Sequence, residues 1–288
     1  MAAKTIAVAN MKGGVGKTTL SIMIAEGFSA LRKARVLVVD LDAQGSLSYA
    51  LMGRERYEAA IRGTRLVTRF FDKKASGDTV RLSGSIVEQA SLLPDCTSLD
   101  LAPADAELQV VERKVIASLT RIALDNVFRG APEVTTARWL QQEINRLRSS
   151  YDWIVFDCPP GISIFAYAGI TCSDAILMPM TPDYLSMQAI RTMNTSVLPL
   201  MGPRVQSIKK YSILNKCRAG VRAVAEYRAE LLEANKTNKW GVELIDVQLP
   251  LRQKLADATE SDEDRKWKSF GTKFDVENCE AILKILEK

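Results

Sequence analysis

TIAVANMKGGVGKTTLSIMIA, residues 5–25, runs from an apolar strand pattern through a glycine-rich loop into a helical pattern. The common phosphate-binding loop reads G-x-x-x-x-G-K-[ST]. Counted back from Gly16-Lys17-Thr18, its leading glycine falls where this chain has Met11, and an extra lysine, Lys12, stands beside it. Gly13, Gly14 and Gly16 permit positive φ angles and close backbone approach, so that successive N–H groups, with those of Val15 and Thr19, point into one concavity. A helix opening at the loop adds the positive end of its dipole. The chemistry of the motif puts Lys17 on the β and γ phosphates of a nucleotide and the Thr18 hydroxyl on Mg²⁺. A glycine turn without a ligand is the alternative; loop, lysine, threonine and flanking elements together argue against it.

Outward from the loop, β-rich apolar runs recur at KTIAVAN (4–10), RVLVVD (35–40), LDLAPA (99–104), WIVFDC (153–158), AILMPM (175–180), YSILNK (211–216) and ELIDVQL (243–249). Several are nearly continuous in apolar residues, as strands buried on both faces are. The stretches 17–32, 104–125, 133–149, 184–200 and 220–236 have helical length and periodicity. Strand then helix, repeated, predicts an α/β fold of the P-loop NTPase kind, a mostly parallel twisted sheet with helices on both faces. No internal repeat and no linker rich in Pro, Gly or Ser divides the chain, so a single domain over 1–288 is expected. The least regular part is 52–98, and the acidic run at 261–264 with RKWK (265–268) reads as an exposed loop before a last amphipathic helix at 276–287.

Composition excludes other chemistries. The 288 residues are 47% hydrophobic, ample for a buried core, and the net charge of +5 is mild. With no histidine and five cysteines lacking any C-x-x-C pair, zinc sites and histidine-based triads are excluded, and each cysteine reads as a small buried hydrophobe. No apolar run approaches the roughly 18 residues of a membrane span, and no charged leader precedes the first strand pattern. The chain reads as cytosolic.

Hydrolysis needs acidic groups near metal and water. RVLVVDLDAQGS puts Asp40 at a strand end with Asp42 two residues on, and WIVFDCPPG ends a strand on Asp157. The carboxyl ends of such strands gather beside the phosphate loop. Asp157 is the natural metal-sphere carboxylate, and one of Asp40 and Asp42 remains to position the attacking water. Any of them could instead cap a helix or close a turn. Pro159-Pro160-Gly161 makes a turn able to sense the γ-phosphate, or a rigid loop. In YSILNKCR, Arg218 stands where guanine-specific loops carry an aspartate acceptor, which favours ATP, with Asn215 as reader of the adenine edge.

These residues resemble the ParA/MinD family of deviant Walker A ATPases, whose loop reads K-G-G-x-G-K-[ST]. The likeness extends through KGGVGKTT (12–19), VLVVDLDAQG (36–45), LDLAPADAEL (99–108), YDWIVFDCPPG (151–161), AILMPMTPDYLSMQAI (175–190) and QLPLRQKLADAT (248–259). It is most similar to the ParA/Soj partition ATPases, although Ala43 replaces a proline of that branch's D-x-D-P-Q-G phrase and LPLRQKLADA only approximates its I-P-R-x-x-x-L-x-E-A phrase. The resemblance implies that Lys12 reaches across a nucleotide-sandwich homodimer to the phosphates of the other subunit. It further implies Asp42 on the attacking water, Asp40 and Asp157 around the metal, and Asn215 with Leu249 and Pro250 at adenine.

It also implies a switch: the ATP-bound dimer coats nucleoid DNA without sequence preference, and a ParB-like or cargo-adaptor partner stimulates hydrolysis and releases it. Basic residues dominate 204–239, and Arg218, Arg222, Arg252 and Lys254 are the candidate DNA contacts, made to phosphates. A solvated helical face is the plainer reading of the same charges. No helix-turn-helix region precedes the loop. A membrane-bound MinD-like role is disfavoured because DVENCEAILKILEK carries Asp275, Glu277, Glu280 and Glu287 against Lys284 and Lys288. An iron-sulfur reductase role lacks the cysteine pattern. A positioning ATPase for a protein cargo, such as a carboxysome or chemoreceptor array, would share the whole mechanism.

Overall fold

The computed structural model describes residues 2–125, 131–218, 220, 222–237, 240–250 and 273–288. All seven expected strands form: β1 (Lys4–Val8), β2 (Val36–Asp40), β3 (Leu99–Ala102), β4 (Trp153–Asp157), β5 (Ala175–Met180), β6 (Lys209–Cys217) and β7 (Glu243–Pro250). They make one parallel sheet in the order β3-β2-β4-β1-β5-β6-β7. The helices are α1 (Lys17–Arg32), α2 (Ser46–Arg62), α3 (Val67–Ala75), α4 (Glu107–Asp125), α5 (Pro132–Leu147), α6 (Ile164–Thr171), α7 (Tyr184–Thr192), α8 (Pro203–Ser207), α9 (Arg222–Lys236) and α10 (Lys273–Leu286).

Alternate residues of the central strands enter two different cores. Ile6, Val8, Val38 and Val155 pack with Leu20, Ile24 and Phe28 of α1 and with Cys279, Ile282 and Leu283 of α10. Ala7, Leu37, Val39 and Phe156 face the opposite core, with Phe70 and Phe71 of α3 and Leu140 of α5. The two-residue period of a strand sends neighbours to opposite faces, so a sheet covered twice must be apolar at every position. Trp153 stacks on Phe28 with ring centroids 3.9 Å apart, pinning β4 to α1.

Three segments differ from the sequence reading. Region 52–98 carries more regular structure than expected: α2 continues to Arg62, bending at Gly53, and α3 follows, because Phe70 and Phe71 give RFFDKKA one fully buried face. The helix expected over 184–200 stops at Thr192 and passes through a π turn (Met193–Val197) into a 3₁₀ turn (Leu198–Met201). Pro199 lacks the N–H that a continuing α-helix requires. The last helix begins earlier than expected, at Lys273. Arg252, Lys254 and the 261–268 segment lie outside the described residues.

Sheet order decides where the site lies. β1 is flanked by β4 and β5, and the register aligns Val8 with Asp157 and Asp40 with Asp157. The carboxyl ends of β1, β2 and β4 therefore finish side by side at the crevice where ligands of open α/β sheets bind.

Candidate active site

The loop is built from β1 outward. Asn10 is buried and pins the loop's start, its Nδ2 donating to the Pro179 carbonyl (2.8 Å) while its Oδ1 accepts from the Lys12 amide (2.9 Å). Gly16, at φ 90°, turns the chain into α1 as its N-cap. A Cβ there would collide with the Asn215 side chain, so both the dihedral and the space require glycine. Asn215 donates from Nδ2 to the Val15 carbonyl (2.8 Å) and accepts at Oδ1 from the Lys216 amide (2.8 Å). The structure places the residue read as an adenine contact as a strut behind the loop. Gly13 faces Pro160, to which a Cβ built on it would lie 4.0 Å away.

Lys17 is buried, and its Nζ donates to the Lys12 carbonyl at 3.2 Å. Burial lowers its pKa, opposed by the charges of Asp157 and Asp42. Asp157 is buried at the end of β4, accepting from Thr18 Oγ1 at 2.9 Å and from Ser21 Oγ at 2.7 Å. Burial pushes this carboxyl up to about 7, against the pull of those two hydroxyls. A hydroxyl and a carboxylate within hydrogen-bond reach are hard oxygen donors, and Mg²⁺ is held by one or two carboxylates together with substrate phosphates. Thr18 and Asp157 fit that donor set. Beside Thr18 and Thr19 lies a cleft of about 540 Å³ lined by Gln44, Gly45, Ser46, Tyr49 and Tyr57.

The two aspartates after β2 separate into different environments. Asp40 is fully buried, and both its oxygens are engaged: Oδ1 by the Asp42 amide (3.1 Å), Oδ2 by the amide (3.1 Å) and hydroxyl (2.6 Å) of Ser48. Burial, reinforced by the neighbouring Asp157 charge, pushes the Asp40 carboxyl up to about 8. Asp42 is half-buried, and its Oδ1 accepts from the Gln44 amide (3.0 Å) in a tight turn. Of the two, Asp42 is the one that faces outward, lining with Gln44, Pro159 and Pro160 a cavity of about 180 Å³.

The Lys12 side chain is held by residues outside its own loop. Its Nζ donates to both oxygens of Asp183 (2.9 Å each) and to Ser186 Oγ (2.9 Å). Asp183 also caps α7 by accepting from the Ser186 amide (2.9 Å). Although burial works the other way, hydrogen bonds from Thr181, Lys12 and Ser186 hold the Asp183 carboxyl below the usual carboxylate range. The residues read as adenine contacts lie on neighbouring strands: β6 pairs Leu214 with Gln248 and Cys217 with Pro250, so Asn215 and the Leu249-Pro250 segment both stand near the carboxyl ends of β6 and β7. Of the basic candidates, Arg218 is exposed, and Arg222 is 92% exposed with its guanidinium 2.7 Å from Glu226. Arg204, Arg228 and Lys236 each face a carboxylate as well, Asp174, Asp246 and Glu233.

Sequence reasoning missed Asn10, Ser21, Ser48, Asp183 and Ser186. Ser21 was legible, since it stands three residues after Thr18 on one face of α1. Asp183 shows the cap spacing D-x-x-S, but its pairing with Lys12, 171 residues away, carries no local signal.

A parallel sheet whose central strand feeds a lysine-bearing glycine loop is the P-loop nucleotide-binding fold. A family model described as an AAA domain, AAA_31, matches residues 3–201. The chain is 28% identical over 194 residues to an uncharacterized protein of Methanocaldococcus jannaschii, covering 67% of this chain and 64% of that one. It is 27% identical over 206 residues to the chromosome partitioning protein ParA of Caulobacter vibrioides, covering 70% and 66%. The matches therefore span slightly less than two thirds of these relatives' length. The apo McdA structure from Cyanothece superposes with a TM-score of 0.73 at 19% identity, covering 99% of both chains. The chain belongs to the AAA_31 family, and its relatives include the partitioning protein ParA and the sporulation initiation inhibitor Soj of Bacillus subtilis, in keeping with the resemblance to the ParA/MinD family.

Proposed function

We propose that the chain is an ATP-dependent partition or positioning ATPase that forms an ATP-sandwich dimer, binds nucleoid DNA without sequence preference and is released when a partner protein stimulates hydrolysis. The observation that carries this reading is the second lysine of the loop. Lys17 is turned inward beside Asp157, whereas Lys12 stands at the rim, held by Asp183 on another element. A rim lysine on an exchangeable ion pair is placed to serve phosphates bound by another copy of the chain, in the manner of an arginine finger.

In this mechanism Gly13 to Thr19 would cradle the phosphates of ATP, Lys17 would neutralise them, and Thr18 with Asp157 would hold Mg²⁺. The metal would supply positive charge against the phosphate oxygens. Asp42, half-buried on its turn, orients the attacking water, and Asn215 with Leu249 and Pro250 bounds the base. Structures of the same fold carry ATP in McdA and ADP with magnesium in cobyrinic acid a,c-diamide synthase, which supports the choice of nucleotide and metal. Arg218 and Arg222, with Arg252 and Lys254, are the proposed DNA contacts. Against a membrane-bound role, Cys279, Ile282, Leu283 and Leu286 of α10 are buried in the core, so the apolar face a membrane would take is already covered. Among the described residues no helix is long and apolar enough to cross a membrane.

The test measures ATP turnover, ATP-dependent dimerisation and retention on non-specific DNA for wild type, Lys12→Ala and Asp42→Ala. Wild type should dimerise and bind DNA only with ATP; Lys12→Ala should do neither, and Asp42→Ala should stay dimeric and DNA-bound. A Lys12→Ala variant that dimerises and hydrolyses normally removes the trans role. Wild type that hydrolyses ATP yet binds no DNA at low salt points to a protein cargo instead.

A further inference from the structure

Ser48 is given no part in the reaction proposed above, yet it sits beneath the turn that carries Asp42. Its side chain and that of Asp40 are both fully buried. The Ser48 hydroxyl donates to Asp40 Oδ2 (2.6 Å) and accepts from the Ala104 amide (3.0 Å), while Asp40 Oδ1 accepts from the Asp42 amide (3.1 Å). One hydroxyl thus ties together the end of β2, the first turn of α2 and the connection after β3. The turn above is closed by the Gln44 amide on Asp42 Oδ1 and the Gly45 amide on the Asp42 carbonyl, each at 3.0 Å. Gly45 has φ 60°, and a side chain there would strike Tyr57, whose hydroxyl is itself fixed on the Ala104 carbonyl at 2.9 Å.

We propose that Ser48 is a positioning residue for hydrolysis, acting through Asp40 to fix the turn that carries Asp42, and that Asp40 supports this turn rather than contacting the metal. The inference rests on the hydrolytic reading of Asp42 given above. The geometry favours support over metal binding because the donors on Asp40 belong to the Asp42 turn and to Ser48 of α2, whereas Asp157 accepts from Thr18, the hydroxyl proposed for the metal. Buried polar networks whose oxygens are satisfied on every side are stiff, and a misplacement of about 1 Å at a reacting group can cost on the order of 10²-fold in rate.

The experiment compares full-length wild type, Ser48→Ala, Asp40→Asn and the double variant. In nucleotide-free protein, amide hydrogen exchange of Asp42, Gln44 and Gly45 should quicken about 10-fold in Ser48→Ala while amides of β1 and α1 stay as in wild type. At saturating ATP, kcat should fall about 10-fold or more with the KM for ATP and the half-saturating Mg²⁺ within about 2-fold of wild type. Asp40→Asn should match it, and the double variant should lose no more than either single one. Unchanged exchange in the turn, multiplying losses, or a raised Mg²⁺ requirement confined to Asp40→Asn would each overturn the inference. Wild type without ATP turnover would overturn the functional reading alone, since the exchange comparison still decides whether Ser48 holds the turn.

Discussion

At the scale of single residues, the same chemical group takes its role from its surroundings. Lys17 and Lys12 are five residues apart; one is enclosed beside Asp157, and the other is paired with Asp183 at 2.9 Å, the two side chains 33% and 41% exposed. A pair that open contributes at most about 1 kcal/mol, a factor of about 5 in an equilibrium. Asp183→Asn keeps the cap on α7 but frees Lys12, so ATP-dependent dimerisation should shift to an ATP concentration up to about 5-fold lower, read by light scattering, with the melting temperature nearly unchanged. Asp40 and Asp157 make a second case. Burial raises both carboxyls above their unfolded values, to about 8 and about 7. The native chain therefore binds protons that the unfolded chain releases, and stability present below about pH 4 is lost as pH rises through the native values. Thermal melts of the nucleotide-free protein should show a lower midpoint at pH 8.5 than at pH 5.5. Asp40→Asn, which cannot ionise, should narrow that difference, and an unchanged gap would assign it to other groups.

At the scale of elements, α10 and α1 show how a fold consumes a face that could have met a membrane. Leu283 and Ile282 are fully buried against the core shared with α1, and Arg32 on α1 pairs with Glu287 just past the end of α10 at 2.7 Å. Truncation of a buried leucine costs about 2–5 kcal/mol, so Leu283→Ala should lower the urea midpoint clearly. Wild type with ATP should stay in the supernatant when spun with anionic vesicles; co-sedimentation would mean that α10 leaves its core. The strands were legible because both-face burial forces continuous apolar runs that few other elements produce. The helices of 46–75 were not, because their apolar residues are interrupted by RERYEAAIRGTR, and burial of Phe70 and Phe71, the latter with its ring 4.6 Å from Phe165 of α6, is what sets α3 apart from a loop.

At the scale of the molecule, the proposed DNA contacts would depend on charges that survive intramolecular pairing. Arg222 and Arg228 already face Glu226 and Asp246, so the basic stretch offers a weaker field than its count of lysines and arginines implies. Retention of the ATP-bound protein on DNA should decline steeply between 50 and 200 mM salt, roughly in proportion to the number of phosphates contacted. Replacing Arg218 and Arg222 together by alanine should flatten that dependence without altering ATP turnover in the absence of DNA. A flat salt response in wild type would point away from phosphate contacts altogether.

The sequence by itself determined the parallel sheet, the phosphate loop and the acidic strand ends, because each is written in neighbouring residues: apolar period, glycine spacing, and an aspartate where a strand stops. Only the tertiary structure decided what those residues touch. Lys12 meets Asp183, Asn215 braces Val15, and Asp40 turns inward to Ser48 while Asp157 turns to Thr18. Local preference fixes which way the backbone runs, but the partners of a buried polar group are chosen by strand order and register, which bring together residues that are far apart in the chain.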